Sequence, residues 1–164
     1  MERRLLITVF LQENIIKIIP FSSSAHISVL DLGASTGLLT EMIIKQFHNA
    51  KIMLIDVSAE MIKIAKERLK EYSTISYQNA DYTKTFPAEK YDLIVSSLSI
   101  HHLPDEAKID LFNQIKKSLY KNSFFVNADQ VLGESDEIEK NYHANWLQEV
   151  KKNGVTKGAF DWGA

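Results

Sequence analysis

Three short apolar runs between residues 27 and 81 each come to rest near an aspartate. Ile27–Leu32 holds Asp31, Ile52–Ile55 leads into Asp56, and Ile75–Gln78 is followed by Asn79, Ala80 and Asp81. Runs this short and apolar read as buried strands. Tyr91–Ser97 is a fourth, and Ser123–Val131 a fifth that contains the polar pair Asn127 and Asp129. Helical spacing fills the gaps. Leu38, Leu39, Met42, Ile43 and Phe47 share one face of a helix from about Thr36 to Phe47. Ser58 is a good N-cap for a second helix with a core stripe of Met61, Ile64, Ala65, Leu69 and Tyr72. Pro104-Asp105 opens a third, with Ile109, Phe112, Ile115 and Leu119 on its apolar face. Ile138, Tyr142, Trp146 and Val150 mark a fourth over Ser135–Lys152. Alternating strands and helices imply right-handed crossovers, hence an α/β fold with a mainly parallel sheet between two helical layers.

In such sheets ligands lie beyond the carboxyl ends of the strands. Asp31, Asp56, Asp81 and the turn carrying Ser99, His101 and His102 all fall there. After Asp31 the chain runs Leu32-Gly33-Ala34-Ser35-Thr36-Gly37, small residues that let a ligand approach the backbone at the start of a helix. Asp31 suits a ligand ammonium or a water bound to it. Asp56, nineteen residues after Gly37, has the spacing of an acid that accepts from ribose hydroxyls. Asp81 is placed to accept from an exocyclic adenine amine. Together the acids favour an adenosine ligand with a cationic end and repel phosphates. A nicotinamide dinucleotide loop would need glycine at 35 and glycine or alanine at 38, where Ser35 and Leu38 stand.

The remaining chain adds limits. A helix is expected over residues 5–19, stopped by Pro20 and Ser22-Ser23-Ser24. Glu2-Arg3-Arg4 before an apolar run imitates a signal peptide, but no cleavage pattern follows, and no run is long enough to span a membrane. The chain has no cysteine, which removes disulfides, thiolate metal sites and cysteine nucleophiles and suits a reducing cytoplasm. A net charge of -2 gives no basic field for nucleic acid or an anionic membrane. The expected organisation is an N-terminal helix and linker (1–24), a ligand-binding domain (25–133), and a C-terminal helix with an irregular tail (134–164).

Residues 27–131 resemble the class I S-adenosylmethionine-dependent methyltransferases of the small-molecule type. The likeness rests on Asp31-Leu-Gly33-Ala-Ser35-Thr-Gly37, on Asp56 within Leu-Ile-Asp-Val-Ser, on Asn-Ala-Asp81-Tyr82, and on Tyr91-Asp92-Leu-Ile-Val-Ser-Ser-Leu-Ser-Ile-His101-His102-Leu. It implies a Rossmann-like three-layer sandwich with sheet order 3-2-1-4-5. It implies S-adenosylmethionine as methyl donor and S-adenosylhomocysteine as product. Its cofactor-binding set would be Asp31, Gly33, Ala34, Ser35, Gly37, Asp56, Val57, Met61, Asp81, Tyr82 and Ser97. His101 and His102, beside the expected methyl group, are the candidates for a catalytic base toward a small-molecule acceptor; packing and loop hydrogen bonds are the competing role. Their spacing is not that of a helical metal pair, so no metal is expected, and His26, His48 and His143 are given no role.

Two departures stand out. Ser35 replaces the family's central loop glycine, which is tolerable if the backbone there has a negative φ. Lys121-Asn122-Ser123 replaces its Pro-Gly-Gly turn before strand five. The family's last two strands have no candidate here, which leaves strand five as an edge. A truncated sequence, or a partner chain such as a second copy in a homodimer, would account for that. The rival functions are a catalytically silent S-adenosylmethionine-binding domain, a carboxy-S-adenosylmethionine synthase and an NAD-dependent dehydrogenase. The synthase needs carboxylate-binding arginines, and the chain offers only Arg3, Arg4 and Arg68.

Overall fold

The computed structural model of the chain describes residues 11–129 and 134–152. Residues 11–18 are helical (α1), followed by β1 (Ser28–Leu32), α2 (Leu38–Gln46), β2 (Lys51–Asp56), α3 (Ala59–Arg68), β3 (Ile75–Asn79) and β4 (Tyr91–Ser97). A single 3-10 turn (Ile100–His102) then leads to α4 (Asp105–Ser118), β5 (Leu119–Ala128) and α5 (Asp136–Lys152). The expected residues 5–10 of the first helix, Val131, the tail beyond 152, and the side chains of His143, Trp146 and Val150 lie outside the described part.

The sheet has the order β3-β2-β1-β4-β5 that the sequence predicts, and all of its pairings are parallel. β1 is the central strand because it is apolar on both sides: Leu30 lies opposite Met53 and Ile94, and Asp31 opposite Leu54 and Val95. Side chains alternate between faces. Val29, Ile52, Leu54, Leu93 and Val95 pack with Ile15 and Ile19 near α1, Leu39 and Ile43 of α2, and Ala65 of α3. Leu30, Leu32, Ile55 and Ile94 pack with Ile100, Leu111 and Ile115 on the α4 side. These are two hydrophobic layers, one on each face of the sheet. No helix among the described residues is long and apolar enough to cross a membrane.

Five sequence expectations need correction. In α3 the buried residues are Ile62 and Ala65, while Ile64 is 46% exposed. Isoleucine stands on both sides of that stripe, and docking on the sheet selects position 62. In α4 the same choice falls on Leu111 and Ile115, leaving Ile109 and Phe112 exposed. Leu119, read as the end of that helix, begins β5. β5 therefore starts before Ser123: Leu119 pairs with Tyr91, and Phe124 pairs with Leu93 after a register shift. Asn122 sits in that irregularity at φ 67°. Asparagine tolerates this left-handed conformation, so the bend that glycines make in the resembled family is made here by Asn122. Tyr142 of α5 is exposed rather than part of a core stripe; four-residue spacing reports amphipathicity, not what covers it. The fifth, at Ser35, lies in the loop after β1.

Candidate functional site

At the carboxyl end of the sheet, β1 runs into a loop in which alternate residues are left-handed: Gly33 at φ 68°, Ser35 at 50° and Gly37 at 75°. The negative φ expected for Ser35 is not what the chain adopts. The reason is the pinning around it. Gly33 and Ala34 N–H groups donate to the Ile55 carbonyl at 2.9 and 3.2 Å, and Gly37 N–H donates to the Ala34 carbonyl at 2.9 Å. Ser35 N–H donates to Asp56 Oδ2 at 2.8 Å. A serine held from both sides takes the conformation its neighbours impose, at a strain of about 1 kcal/mol or more.

The two glycines are required by close approach as well as by φ. A Cβ on Gly33 would lie 2.0 Å from Ser99 Oγ, and one on Gly37 would lie 2.9 Å from Leu69 Cδ1 and 3.1 Å from Ala65 Cβ. The first contact binds the loop to the turn after β4, and the second binds it to α3. Arg68 adds a clamp, donating to the Thr36 carbonyl at 2.9 Å and pairing with Glu41 of α2 at 3.0 Å. Arg68 is thereby a structural tie and not a carboxylate receptor for a ligand, which weakens the synthase alternative.

The strand-end acids occupy three different environments. Asp31 is 1% exposed and takes a hydrogen bond from Thr40 Oγ1 of α2 at 2.6 Å. Burial pushes its carboxyl up to about 7, Thr40 opposes that, and the charge of Asp56 adds to it. A buried group with such a raised value is primed to lose its proton when a cation arrives. Asp56 closes β2: Oδ2 holds Ser35 N–H, and Oδ1 accepts from Ser58 N–H at 2.8 Å. Each oxygen keeps acceptor capacity for a further donor. Ser58 in turn caps α3 by accepting from Met61 N–H at 3.3 Å, as its sequence position predicts. Asp81 organises its own turn, accepting from Thr83 N–H at 3.0 Å and Thr83 Oγ1 at 2.6 Å. Those bonds, with Lys84 nearby, hold its carboxyl below the usual range.

The other predicted residues fall around the same edge. Met61 Sδ lies 3.6 Å from Ser35 Oγ, and Val57 is exposed just past Asp56. The Tyr82 ring is buried and its hydroxyl lies 2.9 Å from Ser99 Oγ. Burial raises the Tyr82 hydroxyl, and the charges of Asp129, Asp81 and Asp56 push the same way, which places it among the acids. Ser97 Oγ, at the end of β4, is buried with no hydrogen-bond partner. Asn79 Nδ2 ties the Asp56 and Val57 carbonyls at 3.0 and 2.9 Å.

After β4, Leu98 adopts φ 53° and donates its N–H to the Ala128 carbonyl at 2.9 Å. This bend presents Ser99 to Gly33. The His101 ring then lies with its centroid 3.9 Å from that of His102, the two planes tilted by 43°, and bonds through Nδ1 to Asp129 Oδ1 at 2.5 Å. His102 is exposed. Sequence reasoning singled out the histidines but not Asp129 as their partner, nor Ser99 or Arg68 as ties; the signal for Asp129 was its place with Asn127 in the polar pair late in the fifth apolar run. No group of side chains among the described residues could hold a metal ion. A cavity of about 710 Å³ also opens at the opposite edge, between Ser28, Lys51, Thr74, Lys90 and Tyr120, but it contains none of the strand-end aspartates.

A family model described as a methyltransferase domain matches residues 29–122. Malonyl-[acyl-carrier protein] O-methyltransferase 1 of Ilyobacter polytropus is 32% identical over 100 residues, covering 61% of this chain and 37% of that protein. The chain thus spans little more than a third of that relative's length. The N-methyltransferase NodS of Bradyrhizobium japonicum superposes with a TM-score of 0.61 at 25% identity, over 71% of this chain and 64% of that one. Phosphoethanolamine N-methyltransferase 1 of Haemonchus contortus, solved with phosphoethanolamine and S-adenosylhomocysteine, superposes with a TM-score of 0.64 at 21% identity, over 71% of this chain and 24% of that one.

Proposed function

The chain belongs to the class I S-adenosylmethionine-dependent methyltransferase family, and from that premise we propose that it binds S-adenosylmethionine at the carboxyl edge of its sheet and methylates a small-molecule acceptor. The observation that carries the reading is the left-handed loop 33–37 pinned by its Ser35 N–H onto Asp56. That arrangement puts a carboxylate with acceptor capacity to spare, rather than a free Ser35 N–H, where a dinucleotide would need to place its pyrophosphate.

The residues present fit the donor. Asp56 retains acceptor capacity for ribose hydroxyls, and Asp81 for an adenine amine. Asp31 is buried and easily charged beside a cation, which suits the methionine ammonium. The orphaned Ser97 Oγ gains a partner when a polar ligand fills the edge. Gly33, Ala34 and Gly37 keep the loop thin, and Val57, Met61 and Tyr82 supply apolar surface. When bound, S-adenosylmethionine supplies a methyl group on a sulfonium, already activated for displacement. The protein's own part is alignment and exclusion of water, together with removal of a proton where the acceptor carries one. A cytoplasmic setting accords with a cysteine-free chain.

Calorimetric titration with S-adenosylmethionine, S-adenosylhomocysteine and a nicotinamide dinucleotide tests the reading, with Asp56→Ala as control. We expect both adenosyl compounds to bind, the dinucleotide not to bind, and the variant to lose about tenfold or more in affinity, the scale of one charged hydrogen bond. Tight dinucleotide binding without response to the other two overturns it. Adenosyl binding without turnover across an acceptor panel favours the catalytically silent domain.

A further inference from the structure

The geometry points to Asp129 as a positioning residue that holds His101 as a base, and therefore to a methyl acceptor that arrives with a proton to lose, a hydroxyl or protonated amine rather than a carboxylate. This rests on the donor site proposed above and specifies what it serves.

Asp129 grips His101 twice. Its Oδ2 accepts from the His101 backbone N–H at 2.9 Å, and its Oδ1 meets His101 Nδ1 at 2.5 Å. Shaping the turn requires only the first bond. The second governs the ring: an ionised carboxylate can only accept, so Nδ1 carries the proton and Nε2 is left with its lone pair. The Asp129 side chain is 5% exposed, whereas His101 is 25% exposed. The orienting acid is thus shielded while the imidazole reaches solvent. Contact with the tilted His102 ring, centroid to centroid 3.9 Å, restrains it further.

The same turn is joined to the donor loop through Ser99, which meets both Gly33 and the Tyr82 hydroxyl. Among the described residues, the titratable groups in contact with His101 include Asp129, the residue after β5, and His102 of its own turn; the charge of Asp129 also reaches the Tyr82 hydroxyl on the β3–β4 connection. In the proton step, the acceptor's X–H bond breaks with its electron pair kept on X. The proton goes to Nε2, the imidazolium is stabilised by Asp129, and Nε2 later returns the proton to water. A carboxylate acceptor is already ionised at neutral pH and gains nothing from such a base.

Nuclear magnetic resonance of the full chain carrying ¹⁵N-histidine tests this without knowing the acceptor. We expect His101 to be the Nδ1–H tautomer in the wild type, and Asp129→Asn to lose that fixed tautomer, with the His26 and His48 ring signals unchanged as references. Sinefungin, which bears an amine where the transferable methyl group sits, should move the wild-type His101 Nε2 resonance relative to its position with S-adenosylhomocysteine. An Nε2–H tautomer, or an Nε2 resonance that is the same with the two ligands, overturns the base role; both measurements use wild-type protein and survive a variant that fails to fold. Binding of neither ligand overturns the donor site and the base role together, and the tautomer then shows whether Asp129 still orients the ring.

Discussion

Asp31→Asn isolates the one acid at the site whose ionisation opposes folding. Burial lifts the Asp31 carboxyl from 3.8 to about 7, the Thr40 hydrogen bond limits that rise, and the Asp56 charge reinforces it. A folded-state value above the unfolded one means that the folded chain holds the proton longer. The stabilisation is therefore complete below about 3.8 and is lost as pH rises through about 7. Between pH 5 and 7 the folded state carries a proton that the unfolded state has released, at about 1.4 kcal/mol per pH unit. The wild type should thus lose about 3 kcal/mol relative to Asp31→Asn between pH 5 and pH 8, a large fraction of a typical total of about 5–15 kcal/mol. Asparagine keeps the acceptor for Thr40 and does not titrate. Its extra N–H₂ adds a penalty independent of pH, so the slope of the difference and not its offset carries the test. Urea unfolding of both proteins at pH 5, 6, 7 and 8, extrapolated to water, measures it. Parallel pH profiles refute the argument, as does a wild type that gains on the variant with rising pH. The same penalty is relieved by a cationic ligand, so binding of S-adenosylhomocysteine should release about one proton at pH 6 and none well above pH 8. Calorimetry in buffers of different ionisation enthalpy counts them.

Other consequences can be measured alongside. Ser35→Gly removes left-handed strain of about 1–2 kcal/mol and adds about 0.5–1 kcal/mol of backbone entropy, so thermal unfolding should shift upward by about 1–4 °C; a downward shift contradicts the role given to φ. Gly33→Ala drives a methyl into Ser99 and should destabilise by about 2 kcal/mol or more. Ser99→Gly in the same chain should recover part of that loss, and a double-mutant cycle with no coupling excludes the contact. Ile62→Ala should cost about 2–4 kcal/mol in urea unfolding and Ile64→Ala less than about 1 kcal/mol, the reverse of what the helical pattern alone suggests.

The sheet was legible because buried parallel strands leave continuous apolar runs: β4 begins and ends at Tyr91 and Ser97, as its composition indicates. Ser58 was legible for a local reason, since a cap needs only its own hydroxyl and the next turn. What escaped depends on distant residues. The φ of Ser35 is imposed by Asp56, 21 residues away, and the partnership of His101 with Asp129 spans 28. The latter follows from the β4–β5 register, in which Ser97 pairs with Ala128 and so sets the next residue, Asp129, against the turn. The choice between Ile62 and Ile64 is likewise made by docking, and hydrophobic period is almost blind to it.

β1 is hydrogen-bonded on one side to β2, which follows soon in the chain, and on the other to β4, where Val29 meets Leu93. During synthesis at about 5–20 residues per second, the second neighbour leaves the ribosome roughly 3–13 seconds after the first strand. In that interval β3, β2 and β1 can form a partial sheet whose most apolar member is its open edge, a surface suited to intermolecular pairing and to chaperone capture. Gly33 cannot meet Ser99 until that edge closes. If the adenosyl ligand binds at this loop as proposed, binding should report that β4 has joined β1, since Ser99 follows β4.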